Sequence, residues 1–310
     1  MLFFKGVAMG IADLMPGVSG GTIALLMGVY KELVESIVSI NLNNLKLLKN
    51  DGFTSFWKAI NGNFLSLLFL GIITAIFTFS FAIDYLMTHH PIPLWSFFFG
   101  LLLATIIALK NSLSQWSPFN FLSMLLSAVL SFFVTQITPS NTEIGMVYLF
   151  ISGFFGIIAM ILPGISGAYI LLILGAYSTV IGLIKDTLRG LTNFQIDLLI
   201  PTLTQLMVFV LGILTGLKIF SSVLKWLFKH KHDTTMAVLI GLMIGALHKI
   251  WPWQEKFDLV LTNSTKTILL PLSPLEYPGD PQFLSALFFF AVGMGLVFLL
   301  ERNKKIIAPK

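Results

Sequence analysis

The sequence predicts an all-α polytopic membrane protein, built as an inverted-topology repeat with two re-entrant helical hairpins and about six full transmembrane helices. Three observations carry that class. First, the 310 residues are 56% hydrophobic and 11% charged, with a mean hydropathy of +0.90. A soluble domain carries roughly twice that charge. Second, residues 6–30 (GVAMGIADLMPGVSGGTIALLMGVY) and 153–177 (GFFGIIAMILPGISGAYILLILGAY) are two copies of one element, identical at 11 of 25 positions without a gap. Third, the 19 basic residues divide unevenly between the two faces that this topology creates.

The first repeated element opens the chain. Lys5 ahead of an apolar run has the look of a signal peptide, but Asp13 and Pro16 interrupt the run, and the run belongs to the repeat. Each copy breaks near its middle at P-G-[VI]-S-G. Pro16 and Pro163 are expected to start the return arms, because proline suits the first turn of a helix. The arm from Lys5 to Met15 measures about 16 Å as helix, roughly half of a ~30 Å hydrocarbon core. That length predicts re-entry. Charge agrees: with both termini cytoplasmic, re-entry of both elements leaves 14 basic residues inside and 5 outside, whereas one crossing each gives 9 and 10.

A polar stretch follows at about 39–63, whose Leu42, Leu45 and Leu48 predict a short helix on the membrane surface. Apolar spans are read at about 64–86, 94–110 and 119–137. The segment around 138–151 joins the halves. After the second broken element come spans at about 199–221, 234–250 and 283–300. Fragments beyond the hairpins also match: LGIIT (70–74) with LGILT (211–215), Gly100 with Gly241, and FLSMLL (121–126) with FLSALF (283–288). The chain is therefore read as a single domain over 1–310, with repeat 1 at about 1–137 and repeat 2 at about 152–302. Each half contributes one hairpin and three crossings. Three is odd, so the second half is inverted and the hairpins enter from opposite faces. The proline-rich segment at 251–282 is expected to fold over the outer face.

Paired, Gly/Pro-interrupted apolar segments in two halves of a membrane protein point to a transporter's substrate site. The free N–H groups of each return helix face the break, at the positive end of its dipole, and Ser19, Ser166 and Thr22 add hydroxyls. Two such tips meeting near mid-membrane favour an anion such as a phosphate or carboxylate. The competing reading is packing, since Gly-xxx-Gly spacings at 6/10, 17/21, 212/216 and 241/245 are close-contact devices of membrane helices. Asp13, three residues before the break, is costly at that depth and is a candidate proton carrier or a cap for the return helix. Its counterpart is Met160. Lys31, Glu32 and Arg189 follow the hairpins and are candidate headgroup or gating residues. His248 and Lys249 close a span and read as structural. His89, His90, His230 and His232 read as solvated loop residues, and Trp95, Trp116, Trp251 and Trp253 as an interfacial belt. No cysteine is present, no metal ligand set or cofactor is expected, and the net charge of +5 reports basic cytoplasmic flanks rather than nucleic-acid binding.

The tips MPGVSGGT and LPGISGAY, with GIADLMPGVSGGT at Gly10–Thr22 as the specific part, resemble the polyprenyl-phosphate transporter family over nearly the entire chain. That resemblance implies a non-enzymatic translocase of the bacterial inner membrane. It would return undecaprenyl phosphate from the outer to the cytoplasmic leaflet for envelope polymer synthesis, with a proton or sodium as possible coupling ion. Its implied substrate positions are Asp13, Pro16, Gly17, Ser19, Gly20, Gly21 and Thr22, and in the second copy Pro163, Gly164, Ser166 and Gly167; Tyr169, beside them in the sequence, is a further candidate substrate position. Two other readings compete: an ion-coupled transporter of a small anionic solute, and a lipid-pyrophosphate phosphatase. Phosphatases of that kind carry P-G-x-S-R-S, and here Gly20 and Gly167 stand where the arginine would be.

Overall fold

The computed structural model describes residues 1–14, 19–136, 145–192, 195–261 and 264–307. The first half contains α1 (Leu2–Asp13), α2 (Gly20–Leu26), α3 (Tyr30–Ser39), α4 (Leu42–Asn50), α5 (Gly52–Ala59), α6 (Gly62–His89), α7 (Pro91–Leu109) and α8 (Pro118–Val134). The second contains α9 (Met146–Ile161), α10 (Gly167–Ile173), α11 (Tyr177–Thr192), α12 (Ile196–His230), α13 (His232–Ala246) and α14 (Phe283–Ile307). Between α13 and α14 an antiparallel pair, β1 (Gln254–Leu261) and β2 (Ser264–Pro271), occupies the segment expected to be a folded loop.

Both broken elements are hairpins. Lys5, in the first turn of α1, donates from Nζ to Met27 O at the end of α2 (3.0 Å). Tyr148, in the first turn of α9, donates from its hydroxyl to Leu174 O at the end of α10 (2.8 Å). In each copy the return helix ends level with the start of the arm that precedes it. Each return helix is closed by the same cap, with Gly28 at φ +69 and Gly175 at φ +70. The Val29 N–H bonds Ala24 O and the Ala176 N–H bonds Leu171 O, both at 2.9 Å. This cap needs a left-handed residue, which explains the glycine at that position in both copies. The chain then bends by 106° between α10 and α11.

The hairpins enter from opposite faces, as contacts along α13 show. At the start of α13, Asp233 accepts from the Ser114 and Gln115 N–H groups just before α8. At its end, His248 meets Thr135 just after α8 (3.2 Å). So α8, only 17 residues long, runs alongside α13 from its start to its end. Among the described residues, five helical segments are long and apolar enough to cross by themselves: Gly62–His89, Pro91–Ser112, Ile196–His230, His232–Ile250 and Phe283–Arg302. The bent pair α10–α11 is a sixth candidate, as one broken span or as part of a re-entrant loop. The first hairpin lies at the face where α12 ends and α13 begins, since Tyr30 packs edge-on against Phe228 (5.9 Å). The second hairpin lies at the opposite face, where Tyr169 donates to Thr135 O (2.6 Å).

Packing repeats between the halves. A side chain on Gly6 would strike the Leu68 carbonyl and one on Gly71 the Phe3 carbonyl, which seats α1 against α6. Gly153 meets Phe209 O and Gly212 meets Phe150 O in the same way, seating α9 against α12. Small residues permit such backbone approach where lipid supplies no hydrophobic drive. The last helices are exchanged: α8 packs on α13 of the other half and α14 packs on α7. Helices α7 and α13 are the well-buried pair, whereas α6, α12 and α14 turn most of their apolar surface outward. The surface stretch is two helices, α4 and α5, with Leu45, Leu48 and Phe53 exposed.

Several expectations need correction. The return helices start at Gly20 and Gly167, with Ser19 and Ser166 as N-caps, so Pro163 lies before the helix and not in its first turn. The FLSMLL/FLSALF match is out of register by one helical turn. Gly241 packs on the Met124 carbonyl and Gly100 on the Phe290 carbonyl, so Met124 corresponds to Phe290 and not to Ala286. Trp253 is buried, with its indole N–H donating to Pro281 O (2.9 Å), and Trp251 donates to Leu272 O (2.8 Å). These two tie the β-hairpin segment down instead of forming a belt. His89 and His230 end helices, stacked on Tyr85 and Trp226.

Candidate functional site

The two hairpin breaks meet. Ser19 Oγ lies 3.3 Å from both Met160 O and Leu162 O, so its one proton is shared between carbonyls at the end of α9. Thr22 Oγ1 accepts from the Gly164 N–H (3.1 Å), and the Tyr30 hydroxyl donates to Ile161 O (3.1 Å). The C-terminal carbonyls of α9, left without helical partners, are thus taken up by hydroxyls of the other half. Gly21 allows this approach, since a Cβ there would stand 2.6 Å from Ile161 O. Gly164, at φ +86, is pressed against the backbone of Leu242 and Met243. These residues lie halfway along the His232–Ile250 span, so the meeting point is at mid-depth.

The two tips are chemically unlike. At the first, the start of α2 has its donors occupied. Asp13 Oδ1 accepts from the Gly20 N–H (2.6 Å), Ser19 Oγ from the Gly21 N–H (3.1 Å), and Ser19 O from the Thr22 N–H (2.9 Å). All of α2 is buried. Glycine at 20 leaves room for this contact, because a side chain there would push the Asp13 carboxylate away. At the second tip Met160 replaces Asp13 and supplies no acceptor. Ser166 makes no capping bond, so the Gly167 and Ala168 N–H groups have no acceptor among the described residues. No residue of α10 is fully buried. The anion cradle expected at both tips is therefore filled by the protein's own carboxylate at one and left open at the other.

Of the expected substrate positions, Asp13, Ser19, Gly20, Gly21, Thr22, Pro163, Gly164, Ser166, Gly167 and Tyr169 all lie on these two tips or their first helical turns. Pro16 and Gly17 lie outside the described residues. Lys31, Glu32 and Arg189 are not brought to the tips. Glu32 accepts from Asn61 Nδ2 at the start of α6 (3.0 Å), Lys31 is exposed, and Arg189 pairs with Asp186 on its own helix (3.7 Å) in an exposed position. Tyr30 was not singled out, although it clasps the second break and is buried. Its identity with Tyr177 in the repeat was the available signal.

Comparison with known proteins shows the family. The description "undecaprenyl phosphate translocase-like" belongs to the family profile that matches residues 9–268. The chain is 40% identical over 307 residues to a polyprenyl-phosphate transporter of Vibrio cholerae serotype O1, covering 97% of this chain and 95% of that one. It is 29% identical over 260 residues to a polyprenyl-phosphate transporter of Staphylococcus aureus, covering 80% of this chain and 84% of that one. No solved structure matches it. Matched by this profile over residues 9–268 and by the Vibrio cholerae transporter over 97% of its length, the chain belongs to the undecaprenyl phosphate translocase-like family.

Proposed function

We propose that this protein carries a polyprenyl phosphate, undecaprenyl phosphate in the first instance, from the outer to the cytoplasmic leaflet of the bacterial inner membrane. The observation that carries the reading is the meeting of two hairpin tips at mid-depth, one with its backbone donors filled by Asp13 and Ser19 and the other with donors open. Such a place suits an anionic headgroup, while the isoprenoid chain stays in lipid. The substrate positions are the tip residues named above, on a domain of two repeats that alternate in exposing the site. The face with 14 basic residues is cytoplasmic and holds both termini. Asp13 is proposed to exchange the coupling proton.

The test is purified protein in liposomes, with a leaflet-resolved assay of undecaprenyl phosphate and of its dephosphorylated alcohol. Expected is net movement of the phosphate and little of the alcohol. Equal movement of both removes the anion from the mechanism. Movement of inorganic phosphate or small carboxylates, with none of the lipid, turns the reading into a small-anion transporter.

A further inference from the structure

We propose that Lys249 is a phosphate-binding residue on the approach to the second hairpin tip, where it selects the phosphomonoester headgroup before it reaches the break. The proposal rests on the transport reading above. Lys249 ends the α13 span, and its Nζ stands 5.0 Å from the centre of the Tyr169 ring. Tyr169 is in the first turn of α10, two residues past Gly167. Its hydroxyl donates to Thr135 O (2.6 Å), which fixes the ring and with it the place of the ammonium. His248 holds the same corner: its Nδ1 faces Gly245 O (2.9 Å), which only accepts, so its Nε2 can accept from Thr135 Oγ1 (3.2 Å). The ends of α8 and α13 are thereby tied to the first turn of α10.

Within this frame the lysine places a formal charge over the ring, and its chemistry is incomplete. It is partly buried, and no carboxylate pairs with it among the described residues. A partly buried cation ordinarily has a counter-charge. The ring face supplies some attraction, but a phosphate monoester supplies two negative charges and several acceptor oxygens. Lysine suits a headgroup that must also leave, since it binds phosphate as a compact point charge and not as a two-pronged clamp. The first half differs at both equivalent positions. Thr22 stands where Tyr169 would be, and Ala108 on α7 where Lys249 would be. Charge-based capture is thus built into one face only, the face on which the open tip lies.

The experiment uses detergent-purified full-length protein and two soluble probes, farnesyl phosphate and farnesol, with binding read by intrinsic tryptophan fluorescence. Expected is preference of the wild type for farnesyl phosphate. Lys249→Gln should weaken that binding about 10- to 100-fold and leave farnesol unchanged, and Lys249→Arg should keep most of it. If the wild type shows no preference for the phosphate, the transport reading itself fails. If Lys249→Gln keeps the preference, the headgroup role of Lys249 is overturned and the transport reading stands. Should Lys249→Gln fail to fold, Lys249→Cys gives the only thiol in the chain. Restoring the ammonium with 2-aminoethyl methanethiosulfonate should then restore farnesyl phosphate binding, whereas methyl methanethiosulfonate should not. Equal recovery with both reagents, or recovery with neither, overturns the proposal.

Discussion

One residue separates the two copies of the hairpin where it matters most. Asp13 reaches over the break to accept from Gly20, and Met160 at the equivalent place cannot do so for Gly167. The substitution leaves one tip satisfied and the other receptive. Met160 is well exposed, so Met160→Asp is expected to fold. It should put a carboxylate beside the open donors and weaken farnesyl phosphate binding at least about tenfold through like-charge repulsion at short range. Unchanged binding would move the anion away from the second tip. Asp13 separates capping from proton exchange. Asp13→Asn keeps an acceptor oxygen and should melt like the wild type, whereas Asp13→Ala loses the cap, a cost of about 0.5–2 kcal/mol. If Asp13 exchanges the coupling proton, Asp13→Asn transports with a flattened pH dependence. A wild-type pH profile in that variant assigns Asp13 to capping alone. The choice was open at the level of sequence because a carboxylate three residues before a break suits either role, and only the Asp13–Gly20 contact shows that the cap is made.

At the scale of elements, the helices associate through backbone contact at glycines. Gly212 lies against the Phe150 carbonyl, whereas Gly182 on α11 has open space where a side chain would be. Gly212→Leu is therefore expected to cost at least about 1–3 kcal/mol and to lower the melting temperature in detergent, with Gly182→Leu close to neutral. Comparable melting of the two variants would remove close helix contact as the organising device. The spans and both hairpins were legible because their signals are strong and local: long apolar runs, a gap-free repeat and a paired break. The pairing of Gly71 with Gly212 was legible for the same reason. The register of α8 against α14 was not, because two apolar helices one turn out of step present nearly the same pattern. Nor was the β1–β2 pair, which runs into the prolines at Pro271, Pro274, Pro278 and Pro281 that mark the segment as a loop. The helix starts were misplaced by preferring proline at the first turn over serine at the N-cap, and the contacts favour the serine.

For the whole molecule, contacts along α13 put the hairpins at opposite faces, and the proposed orientation in the membrane rests on charge. Single cysteines near residues 50, 89, 140 and 190 should label from the inside, outside, outside and outside. Label on opposite sides at 140 and 190 would break the second hairpin. The halves also differ in arrangement. In the first, α3 crosses to pack on α12 of the other half, where Lys218 Nζ donates to Val38 O (2.8 Å) and Ile40 O (3.1 Å) at the end of α3. In the second, α11 lies along α12 of its own half. All of α2 is buried and no residue of α10 is, which on the proposed alternating-access mechanism corresponds to a closed first face and an open second one. An inverted repeat can reach the converse state by exchanging these roles: α3 leaves α12 and returns toward α6, and α11 crosses over. The lysine contact at the end of α3 is then a bond that must break in every cycle. Ile40→Cys with Lys218→Cys, bridged by a short bifunctional maleimide carrying a cleavable spacer, should hold the first face shut. Lipid transport in liposomes is expected to fall to background and to return when the spacer is cut. Transport that continues through the intact bridge would mean that α3 stays on α12 throughout, and the change of access would then lie in the tips alone.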